Sequence, residues 1–242
     1  ILIAADSAHS FGAEYKNKRS GSFTDISCFS FHAVKNLTTA EGGAVCFNLP
    51  DAFDHEEIYK EFVTITLHGQ SKDALAKTKK GGWKYDVLTP GYKCNMTDLQ
   101  AAIGLVELDR YAENLARRKE IFDAYDTTFS KKKWALLPPH QTSDKTSSHH
   151  LYLLRIKYIS EAQRDEIIQE IVNQAVSVNV HFQPLPLLTA YKNIGYKIDD
   201  FPIAHHKYQT EITLPVYYNL DDRQVQQVIT AVISSVEKIL KR

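Results

Sequence analysis

Asp6 and His9, Ser30 and His32, and Lys35 are polar side chains that fall at or just past the ends of short apolar runs. Lys35 sits in a polar turn between the runs Cys28-Phe29-Ser30-Phe31 and Ala44-Val45-Cys46-Phe47, with Gly42-Gly43 closing the turn. An amine held between two strands is where an enzyme could carry out Schiff-base chemistry. A carboxylate such as Asp6 could keep a pyridine nitrogen protonated, so that the ring acts as an electron sink. A hydroxyl such as Ser30 near a turn could bind a phosphate. Amine, carboxylate and hydroxyl together make a set suited to pyridoxal 5'-phosphate. Each also has an ordinary alternative. Lys35 could be a solvated loop lysine, Asp6 a cap bonding nearby backbone amides, and His9 and His32 satisfied strand-end histidines.

The elements that would position these groups can be read from periodicity. Residues 1–5 read as a strand, with Asp6 to His9 at its carboxyl end, where ligands bind in open α/β sheets. Residues 15–21 read as a surface hairpin, and residues 26–31 and 43–48 as buried strands flanking the lysine turn. Pro50-Asp51 introduces a helix through Val63, with Asp51 as its cap. Residues 66–92 show little periodicity and hold His68-Gly69, Gly81-Gly82-Trp83 and Thr89-Pro90-Gly91-Tyr92. A stretch of that kind reads as a loop meeting a ligand or another subunit.

Thr97-Asp98-Leu99-Gln100 has capping-box form, and apolar residues then recur at helical spacing through Tyr125, as one long helix or two joined ones. A domain boundary near residue 115 follows, giving 1–115 and 116–242. In the second part, Lys131–Trp134 and residues 140–148 read as loops and Leu151–Ile156 as a strand. A second capping box at Ser160–Gln163 opens a helix to about Gln174. Val176–Phe182 reads as a strand, and Asp222–Lys241 as a final amphipathic helix. That is a small α/β lobe.

Composition excludes several classes. Lysine plus arginine balances aspartate plus glutamate at 29 each over 242 residues, so no net field favours nucleic acid or an anionic membrane. No apolar run reaches the length of a membrane span, and no signal-peptide pattern opens the chain. The three cysteines, Cys28, Cys46 and Cys94, are odd in number and lack metal-ligand spacing, which predicts a reduced, cytoplasmic protein with no metal site. The chain opens as if inside a strand and its one methionine is Met96, so it reads as a piece lacking an N-terminal part.

The runs Asp6-Ser7-Ala8-His9, Gly12-Ala13-Glu14-Tyr15, Gly21-Ser22-Phe23-Thr24-Asp25, Phe29 through Asn36 and Thr38 through Gly43 resemble the DegT/DnrJ/StrS family of pyridoxal-phosphate-dependent sugar aminotransferases. The resemblance continues through Pro90 to Ala102, His150-Leu151-Tyr152, Val180-His181-Phe182 and Leu214-Pro215-Val216-Tyr217, in order over nearly the whole chain. It implies an α/β fold: part of an aspartate-aminotransferase-like (fold type I) large domain, 1–115, plus a small C-terminal α/β domain, 116–242. By the same resemblance Lys35 is the Schiff-base lysine, Asp6 the partner of the pyridine nitrogen, His9 a neighbour of the ring, and Ser30 a phosphate ligand. Asn95 would reach the phosphate of a neighbouring subunit's cofactor, implying a homodimer with shared active sites. His32, His150, His181 and Tyr217 match positions near the substrate.

The implied reaction moves an amino group from an amino acid, usually L-glutamate, to a nucleotide-linked keto-sugar in amino sugar and polysaccharide biosynthesis. His32 together with Thr38 through Gly43 resembles members acting at C4 more than at C3. Two alternatives accompany this reading. One is a dehydratase relative, which would carry histidine in place of Lys35. The other is a non-catalytic remnant, suggested by the missing N-terminal part.

Overall fold

The computed structural model describes residues 1–71 and 85–241, and Gly81-Gly82-Trp83 lies outside them. The chain divides into two compact units, Ile1–Phe11 with Lys18–Arg110 and Gly12–Asn17 with the part from Tyr111 onward.

In the first unit, β1 (Ala4–Asp6), β4 (Ile26–Ser30) and β5 (Gly43–Phe47) form a sheet in the order β1-β4-β5. β1 runs parallel to β4 with Asp6 opposite Cys28, and β5 runs antiparallel with Gly43 opposite Ser30. The antiparallel pairing follows from the lysine turn, which reverses the chain between β4 and β5. β4 alternates as a half-buried strand should, with Ser27 and Phe29 turned inward and Cys28 outward. The expectation that 43–48 is also buried is corrected: no residue of β5 is buried and Val45 is 40% exposed. Among the described residues β5 pairs with β4 alone, so it is an edge strand. The three cysteines are free, with Cys28 and Cys94 exposed and Cys46 half-buried.

Gly43 opens β5, and a Cβ there would stand 2.6 Å from the Phe29 carbonyl oxygen. Gly43→Ala should therefore push the two strands apart and destabilise the chain by roughly 1–3 kcal/mol, as overpacking does. The check is a lower urea midpoint at unchanged slope. A midpoint equal to that of the native chain would mean the strand pair relaxes freely.

α1 (His55–Thr66) starts later than the sequence suggests. Its cap is Asp54, whose Oδ1 accepts from the Glu57 amide at 3.0 Å, while Pro50 to Phe53 forms a turn closed by Phe53 N to Pro50 O at 3.0 Å. This turn takes up residues 50–53, so the helix starts three residues later than a cap at Asp51 would give. The helical pattern from Thr97 onward resolves into two helices, α2 (Asp98–Asp109) and α3 (Tyr111–Phe129), with Arg110 between them. The Thr97–Gln100 capping box is present.

The second unit carries the well-buried core. β6 (Ala135–Leu136), β8 (Tyr152–Ile156) and β9 (Glu211–Leu214) form an antiparallel sheet in the order β6-β8-β9. Tyr152, Leu154 and Ile156 alternate inward from β8 to meet Phe122, Tyr125 and Phe129 of α3. Ile167 and Ile171 of α4 (Glu161–Val172) and Val232 and Val236 of α7 (Asp222–Leu240) close the same core. Both α4 and α7 begin with capping boxes, at Ser160–Gln163 and Asp221–Gln224. β7 (Lys145–Thr146) pairs antiparallel with β2 (Glu14–Tyr15), which is followed by Lys16 and Asn17 at positive φ and then β3 (Lys18–Arg19).

The strand expected at Val176–Phe182 is absent, and that stretch has a single bridge, Asn179 with Thr213. Its backbone donors are taken by side chains: Val180 N by Asn179 Oδ1 at 2.8 Å and His181 N by Glu211 Oε2 at 2.9 Å. A ladder cannot extend where the amides are already committed. The bridge sets this stretch alongside β9, which itself pairs with β8. Between them lie a 3₁₀ turn at Leu185–Leu187, the short α5 (Thr189–Asn193), and α6 (Pro202–Thr210) with proline at its first position.

Candidate active site

The first-unit candidates gather through the β1–β4 register. Asp6 ends β1, and Ser30 lies two residues beyond its partner Cys28 on the parallel neighbour β4, so carboxylate and hydroxyl stand at the same end of the sheet. Asp6 Oδ1 accepts from Ala8 N at 3.1 Å, so the carboxylate does act as a turn cap, through one of its oxygens. His9 is half-buried in the loop beyond. Ser30 Oγ accepts a long bond from His32 N at 3.4 Å.

Lys35 follows on a turn that is held from several sides. Its own amide donates to His32 O at 2.9 Å, Phe31 N to Gly42 O at 2.8 Å, and Thr39 N to Phe31 O at 2.9 Å. Thr39 Oγ1 donates to Glu41 O at 2.7 Å, Thr38 Oγ1 accepts from Ala40 N at 3.0 Å, and Ala40 takes φ 65°. Asn36, Leu37 and Thr39 are buried, and Lys35 itself is half-buried. The backbone that carries Lys35 is thus held in place by the residues around it. The capping residue Gln100 adds a tie: its Oε1 accepts from Thr97 N at 3.0 Å and its Nε2 donates to Glu41 O at 2.8 Å. One side chain thus starts α2 and pins the end of the lysine turn.

His32 Nε2 lies 3.7 Å from Glu41 Oε1, with both groups well exposed, so the pair contributes little stability. Asn95 is exposed two residues before the capped start of α2, where unpaired amides favour an anion. Its Oδ1 accepts from the Lys93 ammonium and its Nδ2 donates to Met96 O at 3.3 Å.

In the second unit His150 is half-buried and Tyr217 is exposed. His181 lines a cleft of about 670 Å³ whose walls include Leu153, Arg155, Phe182, Tyr208 and Glu211. Neither His150 nor Tyr217 lines it. Glu211 and Thr213, which sequence reading did not single out, both contact His181. Burial raises the Glu211 pKa, opposed by the Thr213 hydroxyl, the His181 amide and the charge of Arg164. A glutamate inside a four-residue, fully buried strand is the signal that could have marked it.

Carboxylate, hydroxyl and amine at one end of a partly parallel sheet define a candidate site for a pyridoxal-type cofactor. Comparison with known proteins identifies the family. The model of the DegT/DnrJ/EryC1/StrS aminotransferase family matches residues 1–233, and the chain belongs to that family. It is 39% identical over 237 residues to the uncharacterized protein MJ1066 of Methanocaldococcus jannaschii, covering 96% of this chain and 59% of the relative. It is 37% identical over 236 residues to the spore coat polysaccharide biosynthesis protein SpsC of Bacillus subtilis, with 96% and 59% covered. Its identity to the UDP-4-amino-4,6-dideoxy-N-acetyl-beta-L-altrosamine transaminase of Campylobacter jejuni is 30% over 242 residues, covering 100% and 60%.

Among solved structures, the candidate sugar aminotransferase Spr1654 of Streptococcus pneumoniae in its PMP form superimposes with a TM-score of 0.93 at 48% identity, covering 99% of this chain and 60% of that one. The same protein has been solved in a PLP form, at a TM-score of 0.91. Helicobacter pylori PseC, an aminotransferase of pseudoaminic acid biosynthesis, gives a TM-score of 0.86 at 28% identity, with 98% and 60% covered. The α/β fold is shared with these proteins. The chain spans about 60% of the length of the relatives it matches. No helix among the described residues is long and apolar enough to cross a membrane, and none of their histidine, cysteine and carboxylate groups cluster as a metal site.

Proposed function

We propose that this chain carries the lysine-bearing part of a pyridoxal-phosphate-dependent sugar aminotransferase, with residues 1–115 belonging to the large cofactor domain and 116–242 forming the small one. The observation that supports this best is the placement of Asp6, Ser30 and Lys35: two adjacent parallel strand ends followed by a tied turn. The donor set suits the cofactor's chemistry. Asp6 would hold the ring nitrogen, Ser30 the phosphate, Lys35 the aldehyde end, and His9 would lie against the ring. Asn95 would reach the phosphate held by a second subunit, making the active enzyme a homodimer with shared sites. Pyridoxal phosphate, when bound, supplies an electron sink for negative charge on the carbon that loses its proton. Asp6 keeps the ring nitrogen protonated as a carboxylate beside it. The Lys35 amine, as a free base, takes the proton from the α-carbon of the donor amino acid.

The substrate is a nucleotide-linked keto-sugar, the donor L-glutamate, and the position C4 rather than C3, with His32, His150, His181 and Tyr217 on the substrate side. The 4-amino sugar in the name of the C. jejuni relative supports the C4 preference. The product would enter polysaccharide biosynthesis in the cytoplasm. A panel assay tests this: the protein with pyridoxal phosphate, L-glutamate and UDP-linked 4-keto- and 3-keto-hexoses, followed by detection of amino sugar. Turnover of the 4-keto compounds should exceed that of the 3-keto compounds by about tenfold or more, a difference of about 1.4 kcal/mol in transition-state binding. Bound cofactor with no amino sugar from either group would sink the reading, and a 3-keto preference would sink its regiochemistry.

A further inference from the structure

Residues 215–220, between β9 and α7, carry Tyr217 and belong to no helix or strand. Their carbonyls are nonetheless taken, mostly by side chains of α3. Tyr125 donates its hydroxyl to Pro215 O at 2.9 Å, and Arg118 Nη1 donates to Val216 O at 3.0 Å. Leu220 N donates to Tyr217 O at 3.1 Å, and Arg117 Nη2 donates to Leu220 O at 2.6 Å. Arg118 and Tyr125 stand two helical turns apart on one face of α3, so successive carbonyls of the turn meet successive donors of the helix.

Arg118 does more than bond the turn. It is 7% exposed, and the same Nη1 also donates to His149 O at 3.3 Å. His149 is 2% exposed and stands edge-to-face with Phe122, 4.9 Å between ring centres, so its carbonyl is a fixed point in the core. One guanidinium nitrogen thus ties the backbone just ahead of Tyr217 to the core of the second unit. Burial lowers the Arg118 pKa, opposed by Tyr111, and an arginine still keeps its protons at any working pH. What the turn leaves outside is aromatic: Tyr217 is 45% exposed and Tyr218 42%.

We infer that Arg118 is a positioning residue for sugar binding: by bridging Val216 O to His149 O it sets the backbone from which Tyr217 meets the nucleotide-linked sugar. The inference rests on reading Tyr217 as a substrate-side residue, and it deepens that reading by naming what holds the residue in place. A tyrosine on an unheld loop gives up backbone freedom each time it binds a ligand, whereas a turn fixed beforehand has lost that freedom already. Removing the tie should weaken binding of the sugar and spare the glutamate half of the reaction, which Lys35 serves. Amide hydrogen exchange reports the turn without any substrate. Leu220 N, on a buried residue and bonded to Tyr217 O, should exchange at least about tenfold faster in Arg118→Met than in the native chain, beyond any change at the β8 amides.

In a protein with transferase activity, Arg118→Met should raise KM for the nucleotide-linked sugar about tenfold, roughly the loss of one well-made hydrogen bond, with the glutamate KM little changed. The decisive arm is a double-mutant cycle. Tyr217→Ala alone should raise the sugar KM, and adding Arg118→Met to it should change that KM by less than about twofold, because Arg118 acts through Tyr217. If Arg118→Met does not fold, Arg118→Lys carries the same cycle, since it keeps a cation whose nitrogen stops short of the Nη1 position. Unchanged exchange at Leu220 overturns the tie. Full additivity in the cycle, a glutamate KM that rises in step with the sugar KM, or a Tyr217→Ala variant with native sugar KM overturns the positioning role. If the native protein aminates no sugar, the proposed function fails, while the exchange at Leu220 still decides whether Arg118 holds the turn.

Discussion

Lys35→Ala is expected to lower amino transfer by at least about 10³-fold, because in the proposed reaction one group would both hold the cofactor and move the proton. Lys35→Arg should fare little better: arginine keeps the charge but stays protonated at any working pH, so it cannot act as a base. The variants should fold. The turn is held by the backbone bonds of Phe31, Lys35 and Thr39 and by the Thr38 and Thr39 hydroxyls, none of which uses the Lys35 side chain. Stability in urea unfolding should thus stay close to native, because the bonds that hold the turn are all kept. Two measurements check this: the transfer rate, and borohydride reduction followed by peptide mapping, which should fix the cofactor to Lys35 in the native protein. Label on a different lysine, or a rate in Lys35→Ala within tenfold of native, would exclude Lys35 as the reactive amine.

Legibility followed the kind of signal each element carries. β4, the lysine turn, β8 and two of the capping boxes were readable because their signals are local: alternation, a hydroxyl three residues before glutamine, a polar break between apolar runs. What local pattern could not supply was which side chains intercept backbone donors. Val176–Phe182 has the β-branched composition of a strand, yet Asn179 and Glu211 take the amides a ladder would need. β9 fails in the opposite sense. Its Glu211 and Thr213 look like surface residues, and they are buried because each satisfies the other and His181. Asp51 was a reasonable cap by type, but Asp54 has the helix start within reach.

The candidate site divides along the same line. The first-unit residues could be placed by strand ends alone, since Asp6 and Ser30 occupy adjacent strands and β1 and β4 run parallel. The second-unit residues could not, because His181 depends on partners thirty residues away in sequence. Gln100 shows how a local motif can hide a longer role: it completes the capping box as expected, and its amide also reaches fifty-nine residues back to Glu41.

His149 should make stability fall steeply as pH drops below about 6.5. The ring is 2% exposed, with its edges against Phe122 at 4.9 Å and His140 at 5.6 Å, and neither ring nitrogen has a hydrogen-bond partner among the described residues. Burial first, then the neighbouring His140, Lys119 and Arg118, push its pKa down to about 4, against a smaller opposing pull from Asp123. The folded state therefore favours the neutral ring, while the unfolded chain takes up a proton near pH 6.5. The stability that the neutral ring contributes is complete above that value and is lost as pH falls toward 4, at about 1.4 kcal/mol per pH unit, or roughly 3 kcal/mol in all. His149→Asn removes the titration and tolerates the left-handed backbone at this position, φ 52°. The variant will be less stable than the native chain at pH 7, since it gives up the ring's packing. The decisive quantity is the difference between pH 7 and pH 4.5 in urea unfolding, which should be about 2–3 kcal/mol smaller in His149→Asn than in the native chain. Carboxylates elsewhere contribute equally to both proteins and cancel. An equal pH dependence in the two would mean that the ring takes up its proton in the folded state, which requires the packing of Phe122 and His140 around it to open.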